Sequence, residues 1–158
     1  PVVGMAEAAV LTAAMLGERL SIVTFSPVMR RWYTDCVHAT GLGARFAGVR
    51  TPDAHGDDVA NAARDMRAEL VALARRAVAE DGADVVILGG APLAGLAPEV
   101  ASEIPAILID PIAAAVAQAM TLASLRLRLE GRACKPVAKG SVGLPPALSR
   151  VIAHEAAG

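Results

Sequence analysis

The chain has 158 residues, the length of one ordinary domain, with 54% hydrophobic residues and a formal net charge of −1. A charge so close to zero excludes the basic face that nucleic-acid phosphates or an anionic membrane surface require, and the apolar fraction excludes a disordered chain. Much of the apolar material is small, with 35 alanines, and arginine outnumbers lysine 13 to 2, the composition of a GC-rich genome.

In chain order, Pro1-Val2-Val3-Gly4 reads as the end of a strand. Residues 6–16, rich in alanine and methionine, read as a helix, with Gly17 as its stop because glycine tolerates the left-handed C-terminal position. Leu20 to Phe25 is a strand. Ser26-Pro27 then reads as an N-cap followed by proline in the first turn. Val28, Trp32 and Cys36, spaced i, i+4, i+8, predict one apolar stripe on the helix that follows. Gly41-Leu42-Gly43 breaks that helix, residues 44–49 form a weaker strand, and residues 51–56 form a loop.

The clearest helix covers residues 57–81. Val59, Ala62, Ala63, Met66, Leu70, Leu73, Ala74 and Ala77 share one face, Asp57 and Asp58 favour the positive end of its dipole, and Gly82 ends it. Residues 84–88 are almost wholly apolar, as in strands buried on both faces of a parallel sheet. Gly89-Gly90-Ala91-Pro92 comes directly after. Then follow a short helix over residues 93–102, a buried strand over 105–109 closed by Asp110-Pro111, and a helix of small residues over 112–125. Beyond Glu130 glycines and prolines mark a loop-like tail, with a last helix over 146–156.

Strand and helix alternate four times, which is the signature of an α/β fold with a parallel sheet. Ligands in such folds sit beyond the carboxyl ends of the strands. That rule selects Thr24-Phe25-Ser26, Arg50-Thr51, Gly89-Gly90-Ala91 and Asp110-Pro111. A glycine pair lets backbone N–H groups converge on a carboxylate or an oxyanion; a tight strand-to-helix turn with no ligand fits Gly89-Gly90-Ala91-Pro92 equally well. It is neither a GxGxxG fingerprint nor a phosphate loop. Thr24 and Ser26 offer hydroxyl donors, and Ser26 is also a helix cap, two roles that coexist at a helix end. Asp110 reads as a turn former, and Glu7 as a solvated or dipole-pairing carboxylate.

Two cysteines, Cys36 and Cys134, make no disulfide framework and read as reduced thiols of a cytoplasmic protein. Cys36 is a core residue, and Cys134 lies beside Lys135 in a polar loop, where an ammonium lowers a thiol pKa. His38, His55 and His154 stand far apart and no CxxC occurs, so no metal-ligand spacing exists. The longest uncharged stretch, residues 111–125, is shorter than the roughly 20 residues of a membrane span. No charged segment precedes an apolar one in the manner of a signal peptide.

Four segments, in order along the chain, resemble the aspartate/glutamate/hydantoin racemase superfamily, most of all its hydantoin-racemase branch. Residues 1–9 (PVVGMAEAA) are similar to its PVxGxxEAA segment and residues 20–26 (LSIVTFS) to its FSxVTT strand end. Residues 80–89 (EDGADVVILG) are similar to its DGAxxIxLG strand, and residues 105–114 (PAILIDPIAA) to its PVxDxxxAA strand and helix.

The resemblance implies a parallel-sheet, flavodoxin-like three-layer lobe of a two-lobed fold, with the site between the lobes. It places a crossing segment at residues 1–17, the α/β lobe at 18–125, and a tail with a return helix at 126–158. The family's opening lobe lies mostly before PVxGxxEAA, so the resemblance implies a second lobe plus the crossing segment. It also implies no cofactor, a small carboxylate, amino acid or hydantoin as ligand, and α-proton transfer between two cysteines, one from each lobe. Exposed apolar residues on the small-residue helix would permit a homo-oligomer. The resemblance puts the second cysteine directly after LG, where this chain has Gly90; neither Cys36 nor Cys134 matches a catalytic position. The substrate-binding candidates are therefore Thr24, Phe25, Ser26, Gly89, Gly90, Ala91 and Pro92. A single-base decarboxylase or isomerase, or a non-catalytic small-carboxylate binding protein, is the alternative.

Overall fold

The computed structural model of the chain describes residues 2–53, 59–126 and 138–153. Those up to Leu125 form one compact unit and those from Arg126 onward a second. The first unit is built on four parallel strands, β1 (Leu20–Thr24), β2 (Phe46–Arg50), β3 (Val85–Gly89) and β4 (Ile107–Ile109), in the order β2-β1-β3-β4. Its helices are α1 (Met5–Leu16), α2 (Met29–Ala39), α3 (Ala62–Asp65), α4 (Arg67–Asp81), α5 (Leu96–Val100) and α6 (Pro111–Ser124); the second unit contributes α7 (Pro146–Ile152).

The inner strands β1 and β3 are buried at every residue. Their side chains alternate between two cores, as the pleat demands. Ile22, Val85 and Ile87 pack with Ala9, Val10, Ala13, Tyr33 and Val37 of α1 and α2, joined by Ala114 of α6. Val23, Val86 and Leu88 pack on the opposite face with Leu70, Ala74 and Ala77 of α4 and Leu96 and Val100 of α5. Helix, sheet and helix thus form the three layers that the family resemblance implies, on the parallel sheet that the alternating pattern predicts. The alanines have a structural use here: small side chains let α1 lie close to the sheet, and Gln118 of α6 reaches across to the Ala8 carbonyl (3.0 Å) and the Thr12 hydroxyl (2.9 Å).

Several local expectations are corrected. Residues 2–4 form no strand, and Gly4 caps α1. Gly17 ends α1 in an extended conformation (φ −157°, ψ 164°), not a left-handed one. A Cβ there would lie 2.6 Å from Val85 Cγ2 and 2.8 Å from Asp84 Cβ, so glycine is needed for the close approach of the chain to the start of β3. Gly17→Ala is expected to lower unfolding free energy by about 1–3 kcal/mol, read from the denaturant midpoint; an unshifted midpoint would show that the contact yields freely. Gly82, by contrast, does cap α4 in the left-handed region (φ 68°, ψ 33°).

On α2 the stripe at Val28, Trp32 and Cys36 is not the inner face. Val28 is 68% and Trp32 46% exposed, whereas Tyr33 and Val37 are buried. The inner face is Met29, Tyr33 and Val37, with Cys36 at its border, a rotation of one residue from the predicted stripe. Ser26 does not occupy the cap position, which falls to Val28; the Ser26 carbonyl instead accepts from the Met29 N–H (3.2 Å) in the turn before the helix.

The long helix is interrupted at Met66 (φ −105°, ψ 8°), and Val59 of its predicted apolar face is 54% exposed. Its predicted first residues, Asp57 and Asp58, lie outside the described residues. The strand after Pro105 is shorter than expected and only Ile109 in it is buried, because β4 pairs with β3 alone and is a sheet edge.

Candidate functional site

Parallel pairing decides which strand ends meet. Thr24 lies opposite Gly89, so the segments Thr24-Phe25-Ser26 and Gly89-Gly90-Ala91-Pro92 leave the sheet side by side. Arg50 is opposite Val23 on the far side of β1, and Ile109 is opposite Ile87 on the far side of β3. The predicted site therefore divides into a central pair of loops and two flanks.

Both flanks are engaged in structural work. Arg50 donates from Nε (2.6 Å) and Nη2 (2.8 Å) to the two Asp81 carboxylate oxygens, and also from Nη2 to Glu80 (2.7 Å). The bonds from Arg76 and Arg50 hold the Glu80 carboxyl down at about 2. Arg30 donates to the Val49 carbonyl (2.7 Å) and the Thr51 hydroxyl (2.9 Å). A cavity of about 420 Å³ beside this clasp is lined by residues of β2, α2 and α4 together with Thr51 and Asp53, and by none of the central loop residues. In its wall Arg50 pairs with Asp81, while Arg30 is held by the neutral Val49 carbonyl and Thr51 hydroxyl.

On the other flank Asp110 accepts from the N–H groups of Ile112 (2.8 Å), Ala113 (3.2 Å) and Gly95 (2.6 Å). It caps α6 and pins the α5 entrance, which is the turn-forming role the sequence suggests. Glu7 sits exposed in the first turn of α1.

At the centre, Gly90 has φ 128° and ψ 136° and opens a 3-10 turn, Ala91–Leu93, in which its carbonyl accepts from the Leu93 N–H (2.9 Å). A Cβ on Gly90 would stand 2.5 Å from Phe25 Cε1 and 3.0 Å from Phe25 Cδ1. The Phe25 ring thus lies where a residue-90 side chain would begin. Gly89 and Gly90 are buried, Phe25 and Pro92 half-buried, and Ala91 exposed. Thr24 and Ser26 are buried, so their hydroxyls are not presented at the surface of this end.

Two hydroxyls, Thr24 Oγ1 and Tyr33 Oη, are buried without a hydrogen-bond partner among the described residues. They share a neighbourhood. A Cβ on Gly89 would lie 2.8 Å from Tyr33 Cζ and 2.9 Å from its hydroxyl, and Thr24 is the strand partner of Gly89. Burial, with a smaller push from Cys36, raises the Tyr33 phenol to about 12, so it stays protonated at neutral pH. Tyr33 is absent from the sequence reading; the alternative spacing Met29, Tyr33, Val37 on α2 would have pointed to it. An unsatisfied buried hydroxyl costs about 1–3 kcal/mol. Tyr33→Phe is therefore expected to keep or raise thermal stability, by about 1 kcal/mol; a clear loss would show that the hydroxyl has a partner.

No thiol stands at these strand ends among the described residues. Cys36 lies in the middle of α2, half-buried, its pKa raised by burial and then by Asp35, which keeps the thiol protonated. Cys134, His55 and His154 lie outside the described residues, within which no cluster of His, Cys, Asp and Glu could hold a metal and no helix is long and apolar enough to cross a membrane.

Residues 1–119 match the family described as Asp/Glu/Hydantoin racemase. The hydantoin racemases of Paenarthrobacter aurescens and Pseudomonas sp. (strain NS671) are 34% and 35% identical over 128 residues, which is 79% of this chain and 53% and 50% of theirs. The allantoin racemase of Pseudomonas fluorescens superposes with a TM-score of 0.78 at 31% identity, over 90% of this chain and 62% of its own. That of Klebsiella pneumoniae gives 0.78 at 29% identity, over 90% and 59%. The chain spans about half the length of the curated relatives it matches.

Proposed function

The chain belongs to the Asp/Glu/hydantoin racemase family, and on that premise we propose that it acts on the α-carbon of a small amino acid derivative, a hydantoin first among them, without a cofactor. The reaction begins when a base takes the α-proton and the electron pair moves onto the neighbouring carbonyl oxygen as an enolate. The Gly89-Gly90-Ala91 backbone supplies donors fixed in advance for that oxygen. Phe25 and Pro92 supply an apolar wall, while Thr24 and Ser26 are buried.

One observation shapes this reading. Gly90 holds a backbone conformation that L side chains rarely adopt, under the ring of Phe25. The substrate face turned toward this end meets peptide and ring, with no group among the described residues that titrates near neutrality. Inversion needs a second proton-carrying group on the opposite face from the first, because one base returns a proton only to the side it was taken from. The proposed chemistry is therefore one-base: abstraction and return on a single face. The same lack of a titrating group favours a second reading, a protein that binds a small carboxylate or hydantoin without turning it over.

Both readings require binding, which a thermal shift measures. At a hundredfold excess of ligand over its dissociation constant, stability is expected to rise by about 2.7 kcal/mol. The probes are a 5-substituted hydantoin, allantoin, aspartate and glutamate. A midpoint unmoved by all four would contradict both readings.

A further inference from the structure

Among the described residues, the side chains presented where β1 and β3 end carry no charge. Thr24 and Ser26 are buried, which leaves Phe25, Ala91 and Pro92 to meet a ligand. The arginines at the neighbouring strand end are engaged, Arg30 with Val49 and Thr51 and Arg50 with Asp81 and Glu80. A ligand with a charged side group would lose its hydration against this surface, and those two arginines already have their partners.

Phe25 is the largest side chain of that surface and is half-buried. Its ring packs on the core beneath α4 and α5 and lies against Gly90, with Pro92 Cδ 3.7 Å from the same point. Because residue 90 is glycine, the ring edge reaches over the peptide that would hold the substrate's carbonyl oxygen. We infer that Phe25 is the specificity-determining residue of this end, selecting a neutral cyclic amide with an apolar substituent over one with a ureido or charged substituent. This rests on the α-carbon reading above and narrows it. Apolar contacts of this kind discriminate by roughly 10- to 200-fold for small changes in an apolar group.

The test compares 5-benzylhydantoin with allantoin, by dissociation constant and by rate of α-deuterium incorporation, in the wild type and in Phe25→Ala and Phe25→Leu. The wild type is expected to favour 5-benzylhydantoin by at least about tenfold. Phe25→Ala should erase most of that preference, mainly through weaker binding of the benzyl compound, and Phe25→Leu, which keeps apolar bulk and guards against misfolding, should keep part of it. An unchanged preference in a folded Phe25→Ala variant, or a wild type that prefers allantoin, overturns the inference alone. A wild type that binds neither compound overturns the α-carbon reading, and the inference with it.

Discussion

Gly90→Cys is expected to lower unfolding free energy by about 1–3 kcal/mol, the cost of holding a side chain in a sparsely populated backbone region. The residue is buried with φ 128°, and its new Cβ would stand 2.5 Å from Phe25 Cε1. Cysteine is the informative substitution because the family resemblance puts a cysteine at this position. The two sources of cost separate in a double variant. The ring is the movable part, so Phe25→Ala in the Gly90→Cys background should recover the collision while the backbone strain stays, giving non-additive stabilities for residues in contact. Denaturant titration of the four proteins measures this. A Gly90→Cys variant as stable as the wild type would mean that the loop is not shaped around a glycine.

Ile87→Ala is expected to be the most damaging conservative change in the sheet, at about 2–5 kcal/mol. Ile87 lies in the middle of β3, opposite Ile22 on one side and Ile109 on the other, and is 1% exposed. Its neighbours come from two strands and the helices that cover them, so the cavity has no single mobile wall to close it. Native stabilities of about 5–15 kcal/mol make this a large fraction of the total. Ile107→Ala in the edge strand, at a residue 43% exposed, serves as the control and should cost much less. Equal losses at the two positions would contradict the assignment of β3 as a central strand and β4 as an edge.

The inner sheet was legible because its signal is redundant. Residues 84–88 are apolar in sequence, bounded by Gly82 and the Gly89-Gly90 pair, and a strand buried on both faces needs nothing else. The rule about strand ends also singles out the Thr24 and Gly89 loops, whereas their pairing comes from the strand order β2-β1-β3-β4. What failed was rotational detail. On α2 both Val28-Trp32-Cys36 and Met29-Tyr33-Val37 repeat every fourth residue. Hydropathy favours the first set, while the core takes the second, because a buried tyrosine counts by its ring and not by its hydroxyl. Local sequence presents Gly17 as a backbone device, whereas its use is the missing Cβ against Val85, a long-range contact that local sequence does not encode. The break at Met66 and the exposure of β4 likewise depend on neighbours distant in the chain. At the candidate site, the strand-end rule points to the loops but not to the ring of Phe25 over Gly90 or the pair of buried hydroxyls around Gly89.

The most direct test of the proposed chemistry is incubation of the protein in D₂O with each single enantiomer of a 5-substituted hydantoin, with mass spectrometry reporting deuterium at the α-carbon and optical rotation reporting configuration. The one-base account predicts deuterium incorporation with the configuration retained beyond the buffer-only control. Incorporation with inversion at matching rates would contradict it, since a second proton-carrying group would then have to face the β1 and β3 ends where Gly90 and Phe25 stand.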